Sequence, residues 1–118
     1  EMDNKTFNEL NRKAEERMLL LETQKGVEYV RGSDDRLSNF KRIAAMLNLS
    51  PLQIWVVYFT KHYDYVVNYI NIGEEKSYEK IESRIDDMCV YLKLLRGLIA
   101  EHKQKQEKDT CDTEKGNP

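Results

Sequence analysis

The 118-residue sequence predicts an all-α fold: a four-helix bundle-like single domain followed by a disordered polar tail. Three observations carry that expectation. Apolar residues recur at spacings of three and four, the helical period, through most of the chain. Turn or cap signals at Gly32-Ser33-Asp34-Asp35, Ser50-Pro51 and Gly73 separate the periodic segments. After His102 the only large apolar side chain is Cys111, in a run of Lys, Gln, Glu, Asp and Gly. Such a run cannot bury enough surface to offset its ordering entropy. Residues 1–103 are therefore the expected domain and residues 104–118 the tail.

The first helix is expected from about Thr6 to Glu28. Thr6-Phe7-Asn8-Glu9 has the spacing of a capping box, and Phe7, Leu10, Ala14, Met18 and Leu21 follow at helical intervals. Leu37, Phe40, Ala44 and Leu47 mark a short second helix. Ser50 offers an N-cap, Pro51 suits the first helical position, and Gln53 completes a second capping box. The segment Ile54–Ile72 is rich in the Val, Ile, Tyr, Trp and Phe that favour strands. It runs too long for a usual strand, follows a strong helix start and stops at Gly73, so it reads as the third helix. In the fourth, Ile81, Ile85, Met88, Leu92, Leu95 and Ile99 alternate spacings of four and three, a heptad-like seam for other helices.

Composition narrows the function. The chain is 34% charged with a net charge of −2, so no excess of positive charge argues for a nucleic-acid polymer as ligand. Cys89 lies in an apolar helical run and Cys111 in the polar tail, which argues against a structural disulfide. Two cysteines and two distant histidines make no zinc pattern. No signal peptide is read, and Ile54–Phe59 is too short to span a bilayer. The expectation is a cytoplasmic protein with no membrane partner.

Plotted at about 100° per residue, the third helix carries three stripes. Val56, Phe59, Tyr63, Val66 and Ile70 form an apolar one. Trp55, Tyr58, His62, Tyr65 and Tyr69 form an aromatic one. Ile54, Val57, Lys61, Asp64 and Asn68 form a third that turns polar along its length. Aromatic rings at this spacing serve a core or a subunit interface, or act as a stacking platform for a base. His62 among them reads as a packed, hydrogen-bonded imidazole. Lys61 and Asp64 are expected to be partly buried, either as an ion pair or as a phosphate-directed lysine beside a metal-directed aspartate. On the fourth helix Glu79, Glu82 and Asp86 lie on one flank of the seam. Asp87 lies on the other, near Arg84 and Tyr91. Carboxylates three or four apart can share a hard cation; the plainer reading is a solvated face paired with Lys80 and Arg84. Two apolar helix faces in so small a domain favour a homo-oligomer.

The run Glu28-Tyr29, then Arg31-Gly32-Ser33-Asp34-Asp35-Arg36-Leu37-Ser38-Asn39-Phe40-Lys41-Arg42, resembles the phage and prophage nucleotide-modification-associated domain, first type. Lys61-His62, Glu82-Ser83-Arg84-Ile85-Asp86-Asp87 and Tyr91-Leu92 extend the likeness, which spans about Leu19 to Ile99. That family is itself similar to the all-α MazG-type nucleoside triphosphate pyrophosphohydrolases. The resemblance implies a helical, often oligomeric domain that handles nucleotides in a bacterial host cell. It implies magnesium held by Glu28 and Asp87; a metal-dependent hydrolase would draw on Glu82 or Asp86 as additional acids. It also carries over Asn39 and Lys61; as a nucleotide site, Lys61 and Arg36 are expected at phosphates, Asn39 at the base or sugar, and Tyr65 of the aromatic stripe as a substrate contact. The chain departs from the pattern at three places. Leu19 stands where a glutamate follows Glu15-Glu16, Arg84 stands three residues before Asp87 where a carboxylate is expected, and Val90 replaces an asparagine before Tyr91. Metal-dependent hydrolysis, nucleotide binding or sequestration without turnover, and a host-protein interaction module all stay open. No catalytic residue is assigned.

Overall fold

The computed structural model describes the backbone of residues 1–29, 34–73 and 80–116, and the side chains of residues 1–23, 34–73 and 80–110. These residues form helices α1 (Asn4–Tyr29), α2 (Ser38–Leu47), α3 (Pro51–Ile72) and α4 (Ile81–Gly116), and no strand is present among them. The all-α expectation holds. No single described helix is long and apolar enough to cross a membrane.

The helix ends follow local chemistry. Ser50 accepts from the Gln53 amide, while the Gln53 side chain accepts from the Ser50 amide at 2.8 Å. This reciprocal box starts α3 where the sequence places it. The third segment is therefore helical despite its β-favouring composition, because local capping and burial outweigh propensity. At its end the Gly73 N–H donates to the Tyr69 carbonyl at 2.8 Å. Gly73 has φ 82°, a region that strains residues with a Cβ. Asn48 closes α2 in the left-handed conformation, and the chain bends through 103° into α3. The start of α1 differs from expectation. Helix begins at Asn4, and the Asp3 carboxylate, not Thr6, caps it by accepting from the Thr6 amide at 2.7 Å. Aspartate ranks above threonine as an N-cap, and its choice moves Thr6 inside the helix.

α4 packs against both α3 and α1, and α2 packs against α3. One core gathers Leu37, Phe40 and Ala44 from the α2 region, Ile54 and Trp55 from α3, and Leu98 from α4. The Phe40 ring meets Tyr58 and Tyr91 edge-on at 6.2 Å. Trp55 stacks on Phe59 at 4.6 Å and donates to the Tyr91 carbonyl at 2.6 Å. The aromatic stripe of α3 is thus the inward face. The stripe of Val56, Tyr63 and Ile70 lies outward, each residue more than half exposed. The α4 seam is split: Met88 and Leu95 are half-buried, whereas Ile85, Leu92 and Ile99 are exposed. α4 continues through the expected tail to Gly116, and the side chains of residues 101–110 are all exposed. The segment extends the helix without joining the core; pairs such as Glu101 and Lys105, four apart, favour helix locally.

Candidate functional site

α1 and α4 bound a groove that holds several of the sequence candidates. The register is fixed by two ion pairs. Arg17 donates to Asp86 from Nε at 3.0 Å and Nη2 at 3.3 Å, and Lys93 donates to Glu22 at 2.9 Å. Toward the start of α4 the groove widens to about 730 Å³ beside Arg17, Lys80, Glu82 and Asp86. Farther along it forms a cleft of about 320 Å³, where Glu22, Thr23, Arg36 and Lys93 surround an apolar floor of Val90 and Leu94. That volume is at the lower end of the range for small-molecule sites.

Next to the groove, α3 and α4 share a polar and aromatic cluster. Arg84 is buried at 8% exposure, its guanidinium over the Tyr65 ring at 4.4 Å and its Nη1 3.0 Å from His62 Nδ1. A guanidinium only donates, so Nδ1 accepts and the His62 proton lies on Nε2. The His62 ring also packs on Tyr91 at 4.9 Å. This is the packed imidazole the sequence predicts. Arg84, by contrast, reads in sequence as a surface partner of the acidic flank and as the place where a carboxylate is missing. Its burial depends on rings from another helix, a signal that one helix's spacing does not contain.

The remaining candidates fall as follows. Arg36 is exposed at the cleft rim. Asn39 is half-buried and accepts from Arg42 at 2.8 Å. Tyr65 supports Arg84. Lys61 and Asp64 are both exposed, not partly buried as expected, because their stripe of α3 leaves the core after Ile54: Val57, Lys61, Asp64 and Asn68 are all exposed. Glu82 is exposed, Asp87 is half-buried one turn before Val90 and Tyr91, and Asp86 is 4% exposed. Arg17 engages both Asp86 oxygens. The Glu28 side chain lies outside the described residues, as does Glu79.

Magnesium asks for several oxygen ligands in near-octahedral array. Among the described residues no three His, Cys, Asp or Glu side chains are grouped as a metal site needs. Asp86 would have to surrender Arg17 to reach a cation, and Asp87 projects roughly 100° away from it around the helix. The described acids therefore do not fit a prepared magnesium site. The Arg84, His62 and Tyr65 cluster is packed between α3 and α4 and does not line the cleft. The α1–α4 cleft itself presents Arg36 and Lys93, the latter paired with Glu22, beside Val90 and Leu94, which suits an anion that carries an apolar group. The chain matches no protein-family model, no curated protein and no solved structure.

Proposed function

We propose that the protein is a phage-type nucleotide-handling domain whose primary act is to bind a nucleotide in the cleft between α1 and α4. One observation carries this reading: Arg36, part of the most specific run in the family resemblance, lines a cleft of about 320 Å³ together with Lys93. Arg36 is exposed and supplies a planar donor fork suited to phosphate. Val90 and Leu94 supply the apolar surface that a base or sugar covers. Binding or sequestration is favoured over pyrophosphohydrolysis by the acids of α4, since Asp86 is committed to Arg17 and Arg84 occupies a carboxylate position. Cellular location in a bacterial host follows from the same resemblance.

The test is calorimetry of the full chain against nucleoside mono-, di- and triphosphates, with and without magnesium, followed by analysis of products. The expected result is binding that tightens with phosphate number and yields no product. Arg36→Met should weaken it by roughly tenfold to a hundredfold, the scale of a hydrogen bond to a charged group. Product formation would convert the reading to the hydrolase. Unchanged binding by the Arg36 variant would remove the cleft from consideration.

A further inference from the structure

The nucleotide reading uses the cations and the apolar floor of the α1–α4 cleft and leaves two of its residues without a task. Glu22 and Thr23, consecutive on α1, line the cleft together with Arg36 and Lys93. Glu22 is the more enclosed member of its ion pair: its side chain is 23% exposed, against 47% for Lys93. A carboxylate inside an anion site works against the anion, because like charges at short range repel. Its pairing with Lys93 does not account for the placement, since a pair this open to water contributes little to stability.

The hydrogen-bonding capacity left on the two side chains does account for it. Lys93 Nζ donates to Glu22 Oε1 at 2.9 Å. An ionised carboxylate has two oxygens and about four lone-pair sites, so Glu22 keeps room to accept again. The Thr23 hydroxyl donates its proton to the Leu19 carbonyl at 3.0 Å, which leaves its oxygen as an acceptor toward the cleft. The polar groups are thus sorted by role: Arg36 and Lys93 donate, while Glu22 and Thr23 accept. The donors suit phosphate oxygens. The acceptors ask the same ligand for hydroxyl or amino donors.

We infer that Glu22 makes the cleft selective for ribonucleotides by accepting from the 2′-hydroxyl, with Thr23 as a second acceptor on the sugar. The inference rests on the nucleotide reading and names the sugar that the site takes. A phosphate bound by Lys93 lies within two hydrogen-bond lengths of Glu22, roughly 6 Å. The sugar, not the base, is the part of a nucleotide that sits so near its phosphates. Ribose presents two neighbouring hydroxyls on one face, and an acidic side chain that accepts from the 2′-hydroxyl is a recurrent means of reading it. A 2′-deoxy ligand loses that charge-assisted hydrogen bond and leaves the Glu22 charge beside its phosphates with no donor in return. The lost bond alone corresponds to roughly a tenfold to hundredfold weaker Kd.

The test is calorimetry of the full chain against the ribo, 2′-deoxy, 2′,3′-dideoxy and 2′-O-methyl triphosphates of adenine, guanine, cytosine and uracil. The ribo form should bind tightest and the 2′-deoxy form about tenfold or more weaker. The 2′-O-methyl form keeps the oxygen and loses the donor, so it should bind no better than the 2′-deoxy form. Glu22→Leu removes both charge and acceptor at similar size. In that variant the ribo and 2′-deoxy forms should come within about threefold of each other. The dideoxy form should bind the variant more tightly than the wild type, because a negative charge has left the cleft. A side chain that merely ties α1 to α4 would instead weaken every sugar by the same factor. Equal wild-type binding of ribo and 2′-deoxy forms, a ribose preference that survives Glu22→Leu, or full affinity for the 2′-O-methyl form would each overturn the inference and leave a nucleotide cleft standing. Binding of none of these ligands would overturn the cleft with it. If Glu22→Leu fails to fold, the wild-type comparison of the 2′-deoxy and 2′-O-methyl forms decides.

Discussion

Burying a polar side chain requires a partner for it, and Trp55 shows how narrowly the requirement is met. Its ring is 9% exposed, and its indole N–H reaches the Tyr91 carbonyl of α4. That carbonyl already accepts within its helix, so the second bond ties α3 to α4 without disturbing either. Trp55→Phe keeps most of the apolar contact with Phe59 and removes the donor. It should lower unfolding stability by ~1–2 kcal/mol, measured by urea denaturation, with helicity retained. A change within error would mean that the bond contributes nothing net. At this scale the sequence is readable where chemistry is local. His62 is legible as a packed imidazole because it recurs with rings at helical spacing. The roles of Arg84 and Asp86 are not legible, because their partners, His62, Tyr65 and Arg17, come from elements 19 to 69 residues distant along the chain. Lys61 was misplaced for a related reason. An apolar helix does not reveal which of its stripes its neighbours will cover.

Among the elements, α2 is the shortest, and its start is held electrostatically. Asp35 accepts from Lys41 and from the Leu37 amide, and Lys41 also reaches Glu101 of α4. Lys41, then the Leu37 amide, holds the Asp35 carboxyl below its ordinary value of 3.8. Asp35, then Glu101, raises Lys41 above its ordinary 10.5. The two signs define a window. The Asp35 contribution is present above about pH 3.8 and is lost as pH falls through the lowered value. The Lys41 contribution is fully present below about pH 10.5 and is lost as pH rises through the raised value. Both side chains are more than a third exposed, so salt and water screen the effect. Asp35→Asn should therefore cost a modest amount of stability at pH 7, by a few degrees of melting temperature at most. The difference from wild type should shrink as pH is lowered from 5 toward 3. A gap that stays constant with pH would assign the clamp to hydrogen-bond geometry alone. Helix starts were legible to the extent that one residue dominated. Ser50 with Pro51 and Gln53 had no rival. At the amino end of α1, Asp3 and Thr6 offered overlapping caps, and the stronger acceptor won.

For the whole molecule, the principal extents are 66 × 34 × 29 Å and the radius of gyration is 18.5 Å, against about 13 Å for a compact domain of 100 residues. Much of the excess comes from α4, whose 36 residues span on the order of 54 Å. The helix count was legible in the periodicity of the chain. The faces were harder to assign, because each apolar stripe fits an internal core and an intermolecular seam equally well. Nothing in the spacing of Ile85, Leu92 and Ile99 says that α2 and α1 will occupy the other sides of α4. The carboxyl-terminal third of α4 makes a separate, simpler claim. From Gln104 to Thr110 every side chain is exposed, and Lys41 of α2 pairs with α4 at Glu101. A helix held only by its own backbone bonds and surface charge pairs contributes little to cooperative unfolding. Removal of residues 104–118 should therefore leave the melting temperature within about 2 °C of the full chain, with helical signal lost roughly in proportion to length. A fall of many degrees would show that the exposed end of α4 docks.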